Sequence, residues 1–88
     1  MSGRKQAGDI WSNASRQLAD LVRTERLAQQ SSQERVAREA RLATSTVRKI
    51  ESNSIREPGV FTVLALLRAL GLPLSAVEDL VSEDRADT

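Results

Sequence analysis

The sequence contains no cysteine and no histidine. Without cysteine, the chain has neither a disulfide framework nor a thiolate metal site. Without histidine, it lacks the commonest acid–base residue and the commonest metal ligand, and no base remains to activate a serine as in a catalytic triad. The adjacent carboxylates at 78–79 and 83–84 stand in a polar terminal region, where a solvated face is the simpler interpretation. We therefore expect a binding protein rather than an enzyme, with no metal and no cofactor.

Aromatic residues are also scarce, since Trp11 and Phe61 make up the whole 2%. A core must then be built from aliphatic side chains, which favours helices packed on helices over a β-sandwich or barrel. Apolar residues are 40% of the 88, which suits a folded protein and argues against general disorder. A chain of this length forms one domain near the lower size limit for a self-sufficient core, so oligomerisation would add stability.

Long apolar runs are absent as well. No stretch approaches the roughly 20 apolar residues that a membrane-spanning helix needs. The opening MSGRKQAGDI has basic residues but no apolar segment of the kind found in a secretory signal. We therefore expect no membrane association and a cytoplasmic location.

Charge is unevenly distributed along the chain, although the net charge is only +1. Residues 1–58 hold 11 Lys/Arg and 7 Asp/Glu, a net +4, whereas residues 59–88 hold 2 and 5, a net −3. A basic part beside an acidic part suggests one face that binds a polyanion and another that avoids it. Unrelated proteins often show such a division, so the charge alone does not identify a partner.

The apolar spacing divides the chain into three parts. Residues 1–11 are expected to form a flexible basic N-terminal arm, residues 12–81 a folded domain, and residues 82–88 a polar C-terminal tail. The sequence contains no internal repeat and no low-complexity segment.

Within the folded domain the pattern predicts about five helices. Apolar residues recur at spacings of three and four over residues 12–29, which predicts one long helix. Ser32 is a good N-cap for a second helix, and a third is expected over residues 44–52. The apolar stretch VFTVLALLRALG predicts a buried fourth helix that ends at Gly71, and SAVEDLV predicts a short fifth.

The third predicted helix has two unlike faces. Val47 and Ile50 point to one side, and the other side carries hydroxyls and cations but no acid: Ser45, Arg48, Lys49 and Ser52. Two short helices joined by about three residues, the second with a bare polar face, describe a helix-turn-helix. Such a face fits the major groove of B-DNA, where hydroxyls, Lys and Arg hydrogen-bond base edges and phosphates.

The stretch SQERVAREARLATSTVRKIESN resembles the helix-turn-helix of the phage-repressor/Cro type, the XRE family. The resemblance continues through REPGVFTVLALLRALGLPLSAVEDL and covers roughly residues 18–80. Its elements include the SQ opening, a small residue at Ala37, a β-branched residue at Val47 and the pair Ile50–Glu51. It implies an all-α, lambda-repressor-like DNA-binding domain of about five helices.

The resemblance also implies roles for individual residues. Base edges would be read by residues of the third helix: Thr44, Ser45, Arg48 and Lys49. Phosphates would be bound by residues around it: Gln33, Arg38, Arg41, Asn53, Ser54 and Arg56. Arg26 would pair with Glu51 and tie helix one to helix three, with Arg23 as the alternative partner.

Three positions depart from the family pattern. Arg41 stands where the turn usually has glycine, and a left-handed L-residue costs about 1 kcal/mol, which would favour a different turn. Ala43 stands where Ser or Thr usually caps the third helix, so Thr44 is an alternative cap and would then be removed from base reading. Ser31 replaces a leucine, which would alter the junction between helices one and two.

Several residues have a plainer interpretation. Arg35, Arg38 and Arg41 would equally suit a solvated helix face, and Ser45 and Thr46 ordinary surface hydroxyls. Trp11 is more simply a core residue than a base-stacking one. The acidic C-terminal tail is most simply solvated.

The resulting hypothesis is a sequence-specific regulator that binds double-stranded DNA, acts as a repressor at a palindromic operator and associates with the nucleoid. A homodimer would supply half-sites about 34 Å apart. Its dimer surface would consist of apolar residues in the C-terminal part: Leu72, Leu74, Val77, Leu80 and Val81. Trp11 or Leu21 of helix one offers a second choice. The alternative is a protein-interaction module, such as an antitoxin or an accessory subunit with the same fold.

Overall fold

The computed structural model describes residues 7–55 and 57–86, with side chains for 13–55 and 57–80. The regular structure in these ranges consists of five α-helices, which confirms the predicted all-α fold. They are α1 (Ala7–Ala28), α2 (Gln33–Ala40), α3 (Thr44–Glu51), α4 (Val60–Leu70) and α5 (Ser75–Ala86). Among them is no helix with both the length and the apolarity needed to cross a membrane.

The core is aliphatic and is shared by the first four helices. Its buried members are Leu18, Val22, Val36, Ala37, Ala40, Val47, Ile50, Leu66 and Leu70. Val22 of α1, Val47 of α3 and Leu66 of α4 have no exposed surface, so each of these three helices contributes a fully buried side chain. α2 packs on α3 and α4, and α1 packs on α3, α4 and α5. The inward faces of α2 and α3 are therefore supported by α1 and α4.

Four helices end in one hydrogen-bonded motif, with a left-handed residue just beyond the helix. The left-handed residues are Gln30, Arg41, Asn53 and Gly71. Each donates its N–H to the carbonyl three residues earlier, and the next N–H is donated to the carbonyl five residues before it. Three of these positions hold L-residues, for which this conformation costs about 1–2 kcal/mol, less for asparagine. Those three helix ends therefore store conformational strain.

The ends of α1 and α4 are joined by a side chain. Nε2 of Gln29 donates to the carbonyl oxygen of Leu70 at 2.7 Å. That carbonyl is one of the last four of α4, which have no partner within the helix. The bond therefore caps α4 and fixes its C-terminal end against that of α1.

Two helix limits differ from the sequence-based prediction. α1 begins at Ala7 rather than Ser12, so residues 7–11 of the predicted arm are helical. α5 continues to Ala86, so residues 82–86 of the predicted tail are helical too. Apolar periodicity finds only the packed part of a helix, and Glu83, Arg85 and Ala86, which have good helix propensity, extend α5 without needing a buried apolar face. The extension of α1 contains Gly8 and Asp9, so helix propensity does not explain it. The predicted limits at residues 11 and 81 therefore lie inside α1 and α5.

Candidate nucleic-acid interface

The α2–turn–α3 unit keeps its shape despite the unusual residues in its turn. Oγ of Ser32 caps α2 by accepting the Arg35 N–H at 3.0 Å. Arg41 adopts the left-handed conformation, with φ 60° and ψ 41°, that glycine would adopt more easily. Ala43 is the N-cap of α3 and makes no side-chain hydrogen bond. The turn is therefore not reshaped by Arg41, and Thr44 is the first residue of α3 rather than its cap.

The two faces of α3 are separated as the sequence predicts. Val47 and Ile50 are buried at 0% and 3% exposure. The opposite face is exposed and consists of Ser45, Arg48, Lys49 and Ser52, the last being the C-cap. Thr44 and Thr46 are half-buried at its edges. The polar face thus has the shape and chemistry that entry into a DNA groove requires.

Arg26 and Glu51 form a two-bond ion pair between α1 and α3. Nε of Arg26 lies 2.6 Å from Oε2 of Glu51, and Nη2 lies 3.0 Å from Oε1. Nη1 donates to the carbonyl oxygen of Ser31 at 3.0 Å, so the guanidinium also holds the junction before α2. The alternative partner, Arg23, is bonded to Asp20 at the surface instead. The pair fixes the end of α3 against α1.

The environment of Arg26 favours its charged form. The hydrogen bond to Glu51 raises the pKa of Arg26, which outweighs the lowering by burial, and the charges of Glu51 and Glu34 raise it further. A raised folded-state pKa contributes stability that is complete below the unfolded pKa and is lost only as pH rises through the folded value. For an arginine that window lies in strong alkali, so the contribution is constant around neutral pH.

Gln33 is directed toward this ion pair. Its Nε2 donates to Oε1 of Glu51 at 3.0 Å, and the side chain is half-buried. The amide nitrogen carries two hydrogens, of which Glu51 takes one. One N–H, together with the free backbone N–H groups at the start of α2, is therefore left for the phosphate contact that the sequence predicts.

The segment after α3 is tied back to α1. Oγ of Ser15, a buried residue, donates to Oδ1 of Asn53 at 2.7 Å and lies 3.2 Å from the carbonyl oxygen of Ile55. The hydroxyls of Ser52 and Ser54 are 2.7 Å apart. Asn53 is exposed and keeps its amide hydrogens for an outside partner. Arg56, predicted to bind phosphate, lies outside the described residues.

A family model described as helix-turn-helix matches residues 22–77, well over half of the chain. This chain belongs to the XRE-type helix-turn-helix family. The resemblance seen in the sequence is thereby confirmed. No curated protein matches the sequence. As an XRE-type protein, the chain is a DNA-binding transcription regulator, of a family that is not typically enzymatic.

The five cations of the α2–turn–α3 unit in this XRE-type domain fall into two groups. Arg38, Arg41 and Lys49 are exposed and form no ion pair with any side chain described in 13–55 and 57–80. The others carry carboxylate partners on the surface: Arg35 with Glu39, and Arg48 with Glu34, both at 3.3 Å. The first group retains full charge for phosphates, whereas Arg35 and Arg48 are partly neutralised.

Besides the Gln33–Glu51 bond, two contacts of the XRE-type site were not expected from the sequence. Ser15 lies on α1, where its spacing indicated only a helical position, and its bond to Asn53 depends on how α1 packs on α3. Glu34 suited the positive end of the α2 dipole, and nothing along the chain indicated that it would reach Arg48 of α3. The packing of α2 against α3 brings Glu34 and Arg48 together, so only knowledge of the helix-turn-helix geometry could have indicated this contact.

Proposed function

We propose that this regulator represses transcription by occupying a palindromic operator as a two-fold dimer. The observation that carries the proposal is the exposed, acid-free face of α3, backed by buried Val47 and Ile50. One such helix contacts only a few base pairs, so a second copy would add both affinity and specificity. Occupation of a promoter by a small domain is most simply repressive, because the bound protein excludes polymerase. Binding to the genome would also keep the protein at the nucleoid.

In this proposal the base edges are read from α3. Lys49 and Arg48 suit the guanine O6 and N7 acceptors, and Ser45 suits either a donor or an acceptor. Thr44, half-buried at the start of α3, would reach a base edge only at the margin of the contact.

Phosphates would be bound on both sides of α3. Exposed Arg38 and Arg41 would lie on one flank, and Asn53 and Ser54 on the other. Arg56, outside the described residues, stays a predicted phosphate contact. Gln33 would contribute its remaining N–H together with the N-terminus of α2.

We propose that the two copies contact each other through α4 rather than through the C-terminal residues that the sequence suggested. Leu72 and Leu80 pack against the core, Val77 is half-buried, and the side chain of Val81 lies outside the described residues, which leaves Leu74, 58% exposed, as the exposed member of that set. Phe61 is 81% exposed, and Val60 and Leu64, on the same part of α4, are 63% and 39% exposed. α4 directly follows the segment that is proposed to bind phosphates. A contact between two copies through α4 would therefore lie close to the DNA, between the two half-sites.

Selection of bound fragments from random duplex DNA tests the proposal. A palindromic consensus with half-sites about 34 Å apart is expected, corresponding to one turn of the duplex. Sedimentation of the selected complex should give two chains per duplex, and Phe61→Asp should reduce it to one chain with weaker binding. Leu27→Asp, at 57% exposure on α1, is the matched control and should leave two chains bound. Recovery of an asymmetric site by a single chain would exclude the dimer.

A protein-interaction module is the second candidate function, favoured by the same exposed Phe61. Such a module would use the α4 face to bind a different protein and would not require α3 to enter DNA. Salt dependence distinguishes the two, since phosphate contacts make the affinity for duplex DNA fall steeply with salt. Absence of salt-sensitive DNA binding would favour the protein-interaction module.

A further inference from the structure

We propose that Glu34 is a specificity-determining residue, which positions Arg48 for a base edge and withholds its charge from phosphates. This inference rests on the proposed entry of α3 into the major groove. It concerns a contact between the two helices of the helix-turn-helix, with the acid on α2 and the cation on α3.

The pair is too exposed to serve mainly stability. Nη2 of Arg48 lies 3.3 Å from Oε2 of Glu34, and the two side chains are 59% and 61% exposed. Ion pairs of this kind contribute little to folding, because water and salt screen them. The α2 dipole accounts for an acid at position 34 but not for its contact with Arg48, so we ask what that contact does to DNA binding.

The geometry leaves Arg48 able to recognise a base. A guanidinium has five N–H donors, and Glu34 engages only Nη2, so the remaining donors can face a guanine. A side chain already held in place loses less conformational freedom on binding. At the correct base pair, Arg48 is thus oriented before DNA arrives.

The same pair weakens binding to incorrect DNA. Non-specific affinity comes from cations that neutralise phosphates and release counterions. Because Glu34 already balances the charge of Arg48, Arg48 contributes little to that process. Glu34 therefore lowers non-specific affinity more than specific affinity.

Glu39 provides a matched control on the same helix. It forms an ion pair with Arg35 at the same 3.3 Å distance and is 47% exposed. Five residues separate Glu34 from Glu39, which places them about 140° apart around the helix axis. Loss of either charge changes the net charge equally, but only Glu34 contacts Arg48.

The test compares Glu34→Gln with Glu39→Gln for binding to the selected duplex and to a scrambled duplex of equal length. Glu34→Gln should raise affinity for the scrambled duplex by about two- to tenfold and steepen its salt slope by up to about one unit. Affinity for the selected duplex should change less, so the ratio of the two affinities falls. Glu39→Gln should leave that ratio unchanged. In an Arg48→Gln background, Glu34→Gln should no longer steepen the slope.

Three outcomes would overturn the inference. An equal effect of both Gln variants would mean that only net charge matters. A parallel rise at the selected and scrambled duplexes would mean that Glu34 merely competes with DNA for Arg48. Persistence of the steeper slope in the Arg48→Gln background would mean that Glu34 does not act through Arg48. Failure of the unmodified protein to select any duplex is the separate result that would remove the proposed function, and this inference with it.

Discussion

Arg26 and Glu51, 25 residues apart in the chain, are joined by two hydrogen bonds of 2.6 and 3.0 Å. The pair is largely withdrawn from solvent, with 13% and 5% of the two side chains exposed. Since Glu51 is the last residue of α3, the pair fixes the end of the proposed reading helix to α1. The orientation of α3 therefore depends on a charged contact as well as on the apolar contacts of Val47 and Ile50.

Replacement of Arg26 by methionine should destabilise the fold strongly. The substitution keeps apolar volume but leaves the Glu51 carboxylate buried with Gln33 as its main partner. Loss of one member of a buried pair costs about 3–5 kcal/mol. Urea denaturation followed by circular dichroism should show that loss as a lower midpoint. The double variant Arg26→Met/Glu51→Leu should recover much of it, because no unpaired charge remains. A single-variant loss below about 1 kcal/mol would mean that the pair behaves as an exposed one.

Replacement of Arg41 by glycine should stabilise the free protein and weaken DNA binding. Arg41 has a φ of 60°, so glycine relieves strain that exceeds its own entropic cost, for a gain of about 0.5–1 kcal/mol. The same change removes a cation proposed to bind phosphate, which should lower affinity for all duplexes and flatten the salt slope by about one unit.

Gln30→Gly is the control for Arg41→Gly. Gln30 has a similar φ of 55° just after α1 and carries no charge that is proposed to bind DNA. It should raise the unfolding midpoint comparably without altering DNA affinity. Equal DNA affinity for both glycine variants would remove Arg41 from the interface.

Ser15→Ala should weaken the link between α1 and the segment after α3. The substitution removes the 2.7 Å bond to Asn53 and should cost about 1 kcal/mol, the net contribution of a typical hydrogen bond. A double-mutant cycle with Asn53→Gly, in which glycine keeps the left-handed conformation, measures the coupling by urea denaturation. Additive effects of the two substitutions would mean that the bond contributes nothing.

Where helices carry their own start and stop signals, the sequence predicted them closely. α2 begins after Ser32, and α4 ends before Gly71, because a capping hydroxyl and a left-handed glycine act locally. α1 and α5 continue beyond the predicted limits at their outer ends, where no local signal marks the helix boundary. The division into residues 1–11, 12–81 and 82–88 followed the apolar pattern and therefore missed those extensions.

The site was less predictable because its side chains come from separate helices. The inward and outward faces of α3 follow from helical periodicity alone, since each residue turns by about 100°. Contacts of Arg26 with Glu51, or of Glu34 with Arg48, depend on how helices pack, which periodicity does not encode. The first was expected only through the family resemblance, and the second was not expected at all. Gln33 shows the same limit, because the family resemblance implied a phosphate partner and not its bond to Glu51.

Lys49→Ala should reduce specific DNA binding without harming the fold. Lys49 is exposed on the outer face of α3 and forms no ion pair with the described residues, so its loss leaves no buried group unsatisfied. If Lys49 reads a base, affinity for the selected duplex should fall by about 1–3 kcal/mol, while the scrambled duplex is affected far less. Arg68→Ala is the matched control, because Arg68 is equally an exposed cation but lies in the last turn of α4. Fluorescence anisotropy at fixed salt measures both affinities. If the two variants lose affinity equally, or if Lys49→Ala loses none, Lys49 acts through general charge or not at all, and base reading passes to Ser45 and Arg48.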